Sequence, residues 1–400
     1  MTVPDALFSP GYWDKSLEVA DALRAQGPVH RAVMPNDVRV WVIGRYDHAR
    51  VALADPRLSK DFAGLKTIIG AQLAEAGHEQ KVSGMVSPHM LCQDGDEHTR
   101  LRKLVAAQFT RTRIEQLRPR IEQLTTALLD DLPRGCEVDL IESVAFPLPL
   151  TVICELLGVP VKDQSLLRAW TSVLMTDTPS SAVVATREMQ DYFNTLIYAK
   201  HVDPGDDLLS ALSPGIDSTE PRLSWDELMG TCFLLIVAGH ETTMNLIGNA
   251  VRWLLPDPQR WRLLGQQPEL VPGAVEEILR YHGPVRMATY RYTTEPVTVG
   301  GVTIPAGEIV LVGLQSANRD DDKFPHAAEL DLHRDASGHL AFGHGTHYCL
   351  GATLGRMEAE IVLTALTHQF PNARLAYEDQ LRGRPSVIID GYPELIVDLG

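Results

Sequence analysis

Phe342-Gly343-His344-Gly345-Thr346-His347-Tyr348-Cys349-Leu350-Gly351 brings three glycines, two histidines and one thiol into ten residues. The glycines permit a tight loop that side chains would obstruct. The amphipathic pattern that follows runs to about Phe370, so the thiol stands at a helix N-terminus, where free N–H groups and the helix dipole favour a thiolate. A thiolate in that place serves either as a nucleophile or as an axial metal ligand. For the first, His347 is the base in reach; for the second, Phe342 and the glycines shape a loop around something flat.

Outward from this loop, the chain has 400 residues, 44% hydrophobic and 22% charged, close to the globular average, so a sizeable core is available. Lys and Arg number 36 against 52 Asp and Glu, and the net charge of −16 argues against phosphate-backbone binding. Cysteines stand at 92, 136, 154, 232 and 349, with no C-x-x-C clip, which fits neither a disulfide framework nor a cysteine zinc site. The opening MTVPDALFSPGYWDKS lacks the basic start and apolar run of a secretory signal. The most apolar run, Cys232 to Ala238, is far short of the ~20 residues that span a bilayer. A reduced, cytoplasmic protein with neither membrane nor nucleic-acid partner is expected.

Three patches read as β: Val29 to Ile43, a hairpin turning at Pro35-Asn36-Asp37; Val297 to Val312; and Val387 to Val397, turning at Asp390-Gly391. Most of the remainder has apolar residues at three- and four-residue steps, bounded by Pro or Gly, and reads as helix. The class is mainly α with a small β region, and the absence of a Gly/Ser linker suggests one domain over 1–400. The loosest stretch, Pro204 to Pro221, reads as a surface loop.

The longest helix opens on a Ser224-x-x-Glu227 capping box and ends at Pro256, about 31 residues or roughly 46 Å. Thr231 to Ala238 is apolar on every side and is expected to be buried. Gly239-His240-Glu241-Thr242-Thr243 then puts a carboxylate and two hydroxyls next to a residue that weakens a helix by roughly 1 kcal/mol. His240-Glu241 begins an H-E-x-x-H zinc motif, but position 244 is Met and the second ligand is missing. A helix from Glu97 to Phe109 places His98 and Arg102 on one face with Leu101, Val105 and Phe109, so two cations face apolar neighbours.

Phe342 to Gly351 matches the pattern F-G-x-G-x-(H/R)-x-C-x-G at every fixed position, and in this the chain resembles the cytochrome P450 family. Glu277-Ile278-Leu279-Arg280 resembles the family's E-x-x-R pair and Ala238 to Thr243 its oxygen-activating segment, both in the family's order. The resemblance covers the chain from about Pro10 to the C-terminus. It implies the cytochrome P450 fold, with haem b between the long central helix and the helix after the cysteine loop. Cys349 would be the axial thiolate, in a loop shaped by Phe342 and Gly343, with His98, Arg102, Arg291 and His347 as propionate partners. Glu277 and Arg280 would have a structural role, locking their helix to the meander from Asn318 to Arg334.

The implied activity is a monooxygenase that inserts one oxygen of O₂ into a C–H or C=C bond of a medium-to-large hydrophobic molecule, such as a macrolide, polyketide, terpenoid or steroid. Glu241 and Thr242 match the acid–alcohol pair that delivers the protons. The implied pocket runs from the loop Met85 to Leu91, including Val86, to Val237, Ala238, Arg286, Met287 and Ile388. Arg286 has three open fates: solvent, a propionate or a polar group of the substrate. A ferredoxin-type donor would dock near Arg100, Lys103, Arg111 and Arg113, a basic cluster in an acidic chain, and the enzyme would be a monomer. The alternatives are a non-catalytic haem-binding protein, a peroxide-using haem-thiolate enzyme and a thiol hydrolase. Asp321, Gly355 and Asp390 depart from the common family pattern, the last within the C-terminal β patch.

Overall fold

In a computed structural model the described residues are 7–9, 11–78, 89–176, 179–213 and 223–400. The chain forms two compact units. One comprises Met1–Gln80, Arg118–Phe146 and Thr242–Gly400, the other Lys81–Leu117 and Pro147–Glu241.

The first unit carries the strands β1 (Val29–Val33), β2 (Arg39–Ile43), β3 (Leu58–Ser59), β4 (Glu137–Asp139), β5 (Arg291–Thr293), β6 (Val297–Val299), β7 (Val302–Ile304), β8 (Ile309–Val312), β9 (Arg374–Leu375) and β10 (Ile396–Asp398). Five of them form a sheet in the order β1-β2-β8-β5-β3, with β2 and β8 parallel, Trp41 opposite Val310, and the other pairs antiparallel. Alternation along β2 and β8 sends Trp41, Ile43, Val310 and Val312 into one core and Val40, Val42, Ile309 and Leu311 into another. Both faces are covered, which is why these strands read as unbroken apolar runs.

The β1–β2 hairpin forms as expected, with Asp37 at φ 63° in its turn. So does β6–β7, whose turn residues Gly300 and Gly301 both take positive φ, the two-residue hairpin geometry that glycine allows. The hairpin expected at Asp390-Gly391 does not form. Asp390 is 3% exposed and charge-paired inside the unit, Gly391 lies so close to Asn245 that no side chain fits there, and β10 pairs instead with β4 and β9. Burial of a charged residue removes the exposed turn that its type suggested.

The second unit is helical: Gly95–Ala106, Pro147–Leu157, Gln164–Thr176, Pro179–Val202 and Leu208–Leu212, the last inside the stretch expected to be loop. Leu101, Val105, Leu167, Met189, Phe193 and Ile197 are among its buried residues. The central helix, Trp225–Leu254, spans 30 residues and belongs in part to each unit. Its capping box is formed: Ser224 N–H donates to Glu227 Oε2 (2.7 Å) and Glu227 N–H to Ser224 Oγ (3.3 Å). Among the described residues no helix is long and apolar enough to cross a membrane.

Candidate active site

The cysteine loop is built from its glycines. Gly343 and Gly345 take φ of 73° and 78°, and a Cβ on Gly345 would stand 3.0 Å from Ala54 Cα, so glycine is needed there twice over. Gly343 N–H donates to Leu340 O (2.8 Å), Tyr348 N–H to Gly345 O (3.1 Å), and Cys349 N–H closes the loop on Phe342 O (2.9 Å). Asn318 Oδ1 accepts from Leu340 N–H at 2.6 Å and anchors the incoming segment. The Cys349 thiol is exposed, the helix Ala352–Gln369 begins three residues later, and a Cβ on Gly351 would meet nothing within 4 Å. A rigid loop that presents a thiol beside open space fits a flat prosthetic group ligated through sulfur.

Glu277 and Arg280 are both fully buried on the helix Val271–His282. Arg280 donates from Nε and Nη2 to the two Glu277 oxygens, each at 2.7 Å. Its remaining hydrogen bonds go to the carbonyls of Asn318 (3.1 Å), Ala327 (2.9 Å) and Glu329 (2.9 Å), while Glu277 also accepts from Arg334 Nε (3.2 Å) and Asp331 N–H (3.0 Å). The pair fixes the segment 318–334 that leads to the cysteine loop.

The central helix differs from expectation between Thr231 and Ala238. Thr231, Cys232, Leu235 and Ile236 are buried, but Phe233, Leu234 and Val237 are half-buried and Ala238 is exposed. Leu234, Ala238, Glu241 and Thr242 follow at helical spacing, so among the described residues one face of a mostly buried helix is exposed at Ala238 and carries the acid and alcohol one turn on. Thr243 turns the other way, against Gly355 and Glu358 of the helix Ala352–Gln369. Burial pushes the Glu358 carboxyl up to about 8, against a hydrogen bond from Thr243 that lowers it.

The other expected site residues are distributed over both units. In the second unit His98 is 3% exposed and Arg102 half-buried on the helix Gly95–Ala106, and Leu91 and Val237 are half-buried. In the first, Arg291 is 5% exposed with Nη1 donating to Leu58 O (3.3 Å), and Phe342, His347 and Ile388 are half-buried. Val86 lies outside the described residues. Arg100 is tied to Glu97 (2.6 Å) and to Glu227, so its charge is met within its own unit, whereas Lys103, Arg111 and Arg113 are exposed.

Arg286 and Met287 take a place different from the pocket wall assigned to them. Arg286 is 2% exposed: Nη2 meets Asp390 Oδ1 at 2.9 Å, Nη1 donates to Ser386 O, and the guanidinium lies 5.3 Å from the Tyr12 ring centroid. Met287 is 4% exposed, in the core with Tyr12 and Leu311. The reason is a bulge: Arg286 and Met287 N–H both donate to Ile388 O (2.8 and 3.4 Å), so the two-residue alternation of a regular strand fails. Val285 and Ala288, half-buried, are the residues of this segment that keep exposed surface. Sequence reasoning also passed over Glu276, His339, Arg356 and Glu358. The available signal was a carboxylate at 358 on the stripe formed by Leu354, Ile361 and Val362, all buried.

A family model described as Cytochrome P450 matches residues 265–374, from before the Glu277–Arg280 pair to just beyond the helix after Cys349. The chain is 46% identical over 400 residues to Cytochrome P450 107B1 of Saccharopolyspora erythraea, covering 100% of this chain and 98% of that one. It is 43% identical over 396 residues to the Vitamin D(3) 25-hydroxylase of Pseudonocardia autotrophica, covering 98% and 96%. Among solved structures, that of the tirandamycin C-bound P450 monooxygenase TamI matches with a TM-score of 0.90 at 42% identity, covering 98% of this chain and 99% of that chain. Similarity at this level over the full length, rather than over one motif, means that the chain belongs to the cytochrome P450 family, the haem-thiolate monooxygenases.

Proposed function

We propose that Cys349 holds haem b through its thiolate, that His98, Arg102, Arg291 and His347 pair with the propionates, and that the enzyme oxygenates a medium-to-large hydrophobic natural product. The observation that carries the reading is the exposed thiol at the end of a hydrogen-bonded loop, beside the open space at Gly351. When bound, haem-thiolate iron supplies the activation of O₂ and the transfer of one oxygen atom to carbon. The chain supplies position and protons. The Thr242 hydroxyl holds a proton at Oγ1, and the Glu241 carboxyl, one residue before it on the same helix, replenishes that proton after taking one up from solvent. Leu91, Val237 and Ala238 of the second unit and Ile388, Val285 and Ala288 of the first are the apolar residues that meet the substrate, and within the first unit Arg286 is held by Asp390, two residues after Ile388.

The substrate class is supported by two relatives, one bound to tirandamycin C and one named for the 25-hydroxylation of vitamin D3. Both names point to large, mostly apolar molecules. A ferredoxin-type protein delivers electrons at Lys103, Arg111 and Arg113. The enzyme is a cytoplasmic monomer whose two units work as one domain.

The test is spectroscopic. Reduced protein with carbon monoxide should absorb at about 450 nm, the mark of thiolate ligation, and Cys349→Ser should abolish that band. A band that survives the substitution refutes the ligand assignment. Screening macrolides, linear polyketides, terpenoids and steroids for the low-spin to high-spin shift identifies the substrate class. If only short polar ligands shift the spin state, the hydrophobic reading fails.

A further inference from the structure

Next to the buried Glu277, its neighbour Glu276 faces a different set of partners, one three residues before the cysteine loop and one on the helix that follows it. Arg356, on Ala352–Gln369, donates from Nε to Glu276 Oε1 (2.5 Å) and from Nη2 to Oε2 (2.9 Å), a bidentate fork. His339 is the third member. Its Nδ1 accepts from Ala341 N–H (3.1 Å), so Nε2 carries the proton and donates to Glu276 Oε2 (3.1 Å). With hydrogen bonds from His339 and Arg356 opposing the effect of burial, the Glu276 carboxyl is held down at about 2 and stays ionised at every working pH.

The fork sets the plane of the guanidinium, and that plane covers Phe342, with Arg356 Cζ 4.4 Å from the ring centroid. Phe342 O accepts the N–H of Cys349 at 2.9 Å. A chain of contacts therefore runs from Glu276 through Arg356 and the Phe342 ring to the backbone of the cysteine, with a second branch through His339 to Ala341 N–H. All six residues lie in one unit. The Glu277–Arg280 pair fixes the incoming meander; this set fixes the loop itself.

We infer that Glu276 is a positioning residue for the Cys349 thiolate: through Arg356 it clamps the Phe342 ring, and so keeps the loop in the register that presents sulfur to the haem. The inference rests on the proposed ligation by Cys349. It adds that thiolate ligation depends on an ion pair that touches neither sulfur nor haem.

The experiment uses haem-loaded enzyme and follows the rate at which the carbon monoxide band near 450 nm is lost in mild denaturant, together with haem content and melting temperature. Glu276→Gln and Arg356→Gln should each accelerate loss of the band by about tenfold while freshly purified protein retains its haem. Arg356→Lys, which keeps charge but not the flat fork, should fall between these and wild type. The reversed pair Glu276→Arg/Arg356→Glu restores an ion pair between the two helices but leaves no cation over Phe342. Its melting temperature should recover and its band should still be lost quickly. If the single variants keep the band as long as wild type, or if the reversed pair restores it, the pair only ties two helices together and the inference is overturned. If Glu276→Gln does not fold, His339→Gln breaks the second branch alone and must also accelerate the loss. A wild-type enzyme without the band, or a Cys349→Ser variant that retains it, defeats the ligand assignment instead and is told apart from failure of the clamp.

Discussion

Glu358 is a carboxyl with almost no access to water: 1% of its surface is exposed and Oε1 has no hydrogen-bond partner among the described residues. Burial raises its folded pKa to about 8, while in the unfolded chain it titrates in the ordinary carboxylate range. Between those values the unfolded state gives up a proton that the folded state keeps, so this residue makes the protein less stable as pH rises from about 4.5 to about 8. Glu358→Gln should therefore change little at pH 5 and gain stability toward pH 8, by at most on the order of 3 to 5 kcal/mol. Melting temperatures of both proteins across this range check it; a constant difference would show that Glu358 is already ionised at pH 5. The buried pair Arg286–Asp390 makes the opposite kind of prediction. Asp390→Asn strands a buried guanidinium and should cost about 3 to 5 kcal/mol, whereas Arg286→Met/Asp390→Leu should cost less than that single change. Urea unfolding of wild type, Asp390→Asn and the double variant tests this, and a double variant no more stable than Asp390→Asn would overturn it.

Two elements carry the proposed chemistry, one by being left partly uncovered and one by being heavily connected. The central helix leaves Ala238 uncovered and places Glu241 and Thr242 one turn on. Thr242→Ala removes the hydroxyl proposed to hold the distal proton, so product formed per electron consumed should fall about tenfold or more, with hydrogen peroxide taking up the difference. Haem content and reduction should stay normal. Coupling equal to wild type with a good substrate would leave Thr242 a packing residue. The helix Val271–His282 ends each of its two adjacent glutamates on different partners, and Glu277 meets two arginines and a backbone N–H. Glu277→Gln should lower stability by about 3 to 5 kcal/mol, because two cations lose their buried anion. Unlike Glu276→Gln it should also lower the yield of haem-loaded protein, since the meander that delivers the loop is loosened.

At the scale of the whole molecule, the proposed docking of an electron donor depends on charge. Against a net −16, the exposed Lys103, Arg111 and Arg113 form a local positive field, with Arg100 withdrawn into its pairs with Glu97 and Glu227. Reduction by an acidic ferredoxin should slow by roughly tenfold between about 0.05 and 0.5 M salt, as screening shortens the reach of that field. Lys103→Glu/Arg113→Glu should slow it at low salt and flatten the salt dependence, whereas Arg100→Gln should have a smaller effect on rate and a larger one on stability. Stopped-flow reduction under carbon monoxide measures both. A rate independent of salt would place the donor elsewhere.

The sequence alone determined the loop, the lock and the long helix, because each is local: glycine spacing dictates a turn, a capping box starts a helix, a proline ends it. It determined the mainly helical class and, through Phe342 to Gly351, the family. What it misplaced depended on contacts distant in the chain. Asp390 reads as a turn residue until Arg286, about a hundred residues earlier, buries its charge; Arg286 reads as free for solvent, a propionate or the substrate until Asp390 pairs with it and Ile388 O takes the N–H groups of Arg286 and Met287. Thr231 to Ala238 reads as buried on every side because periodicity reports apolarity and not what covers it. Glu276 and Arg356, eighty residues apart, acquire a role only when two helices and the cysteine loop meet. Local rules fix elements; the pairing of buried charges, which is decided by desolvation and by who lies opposite whom, belongs to the tertiary structure.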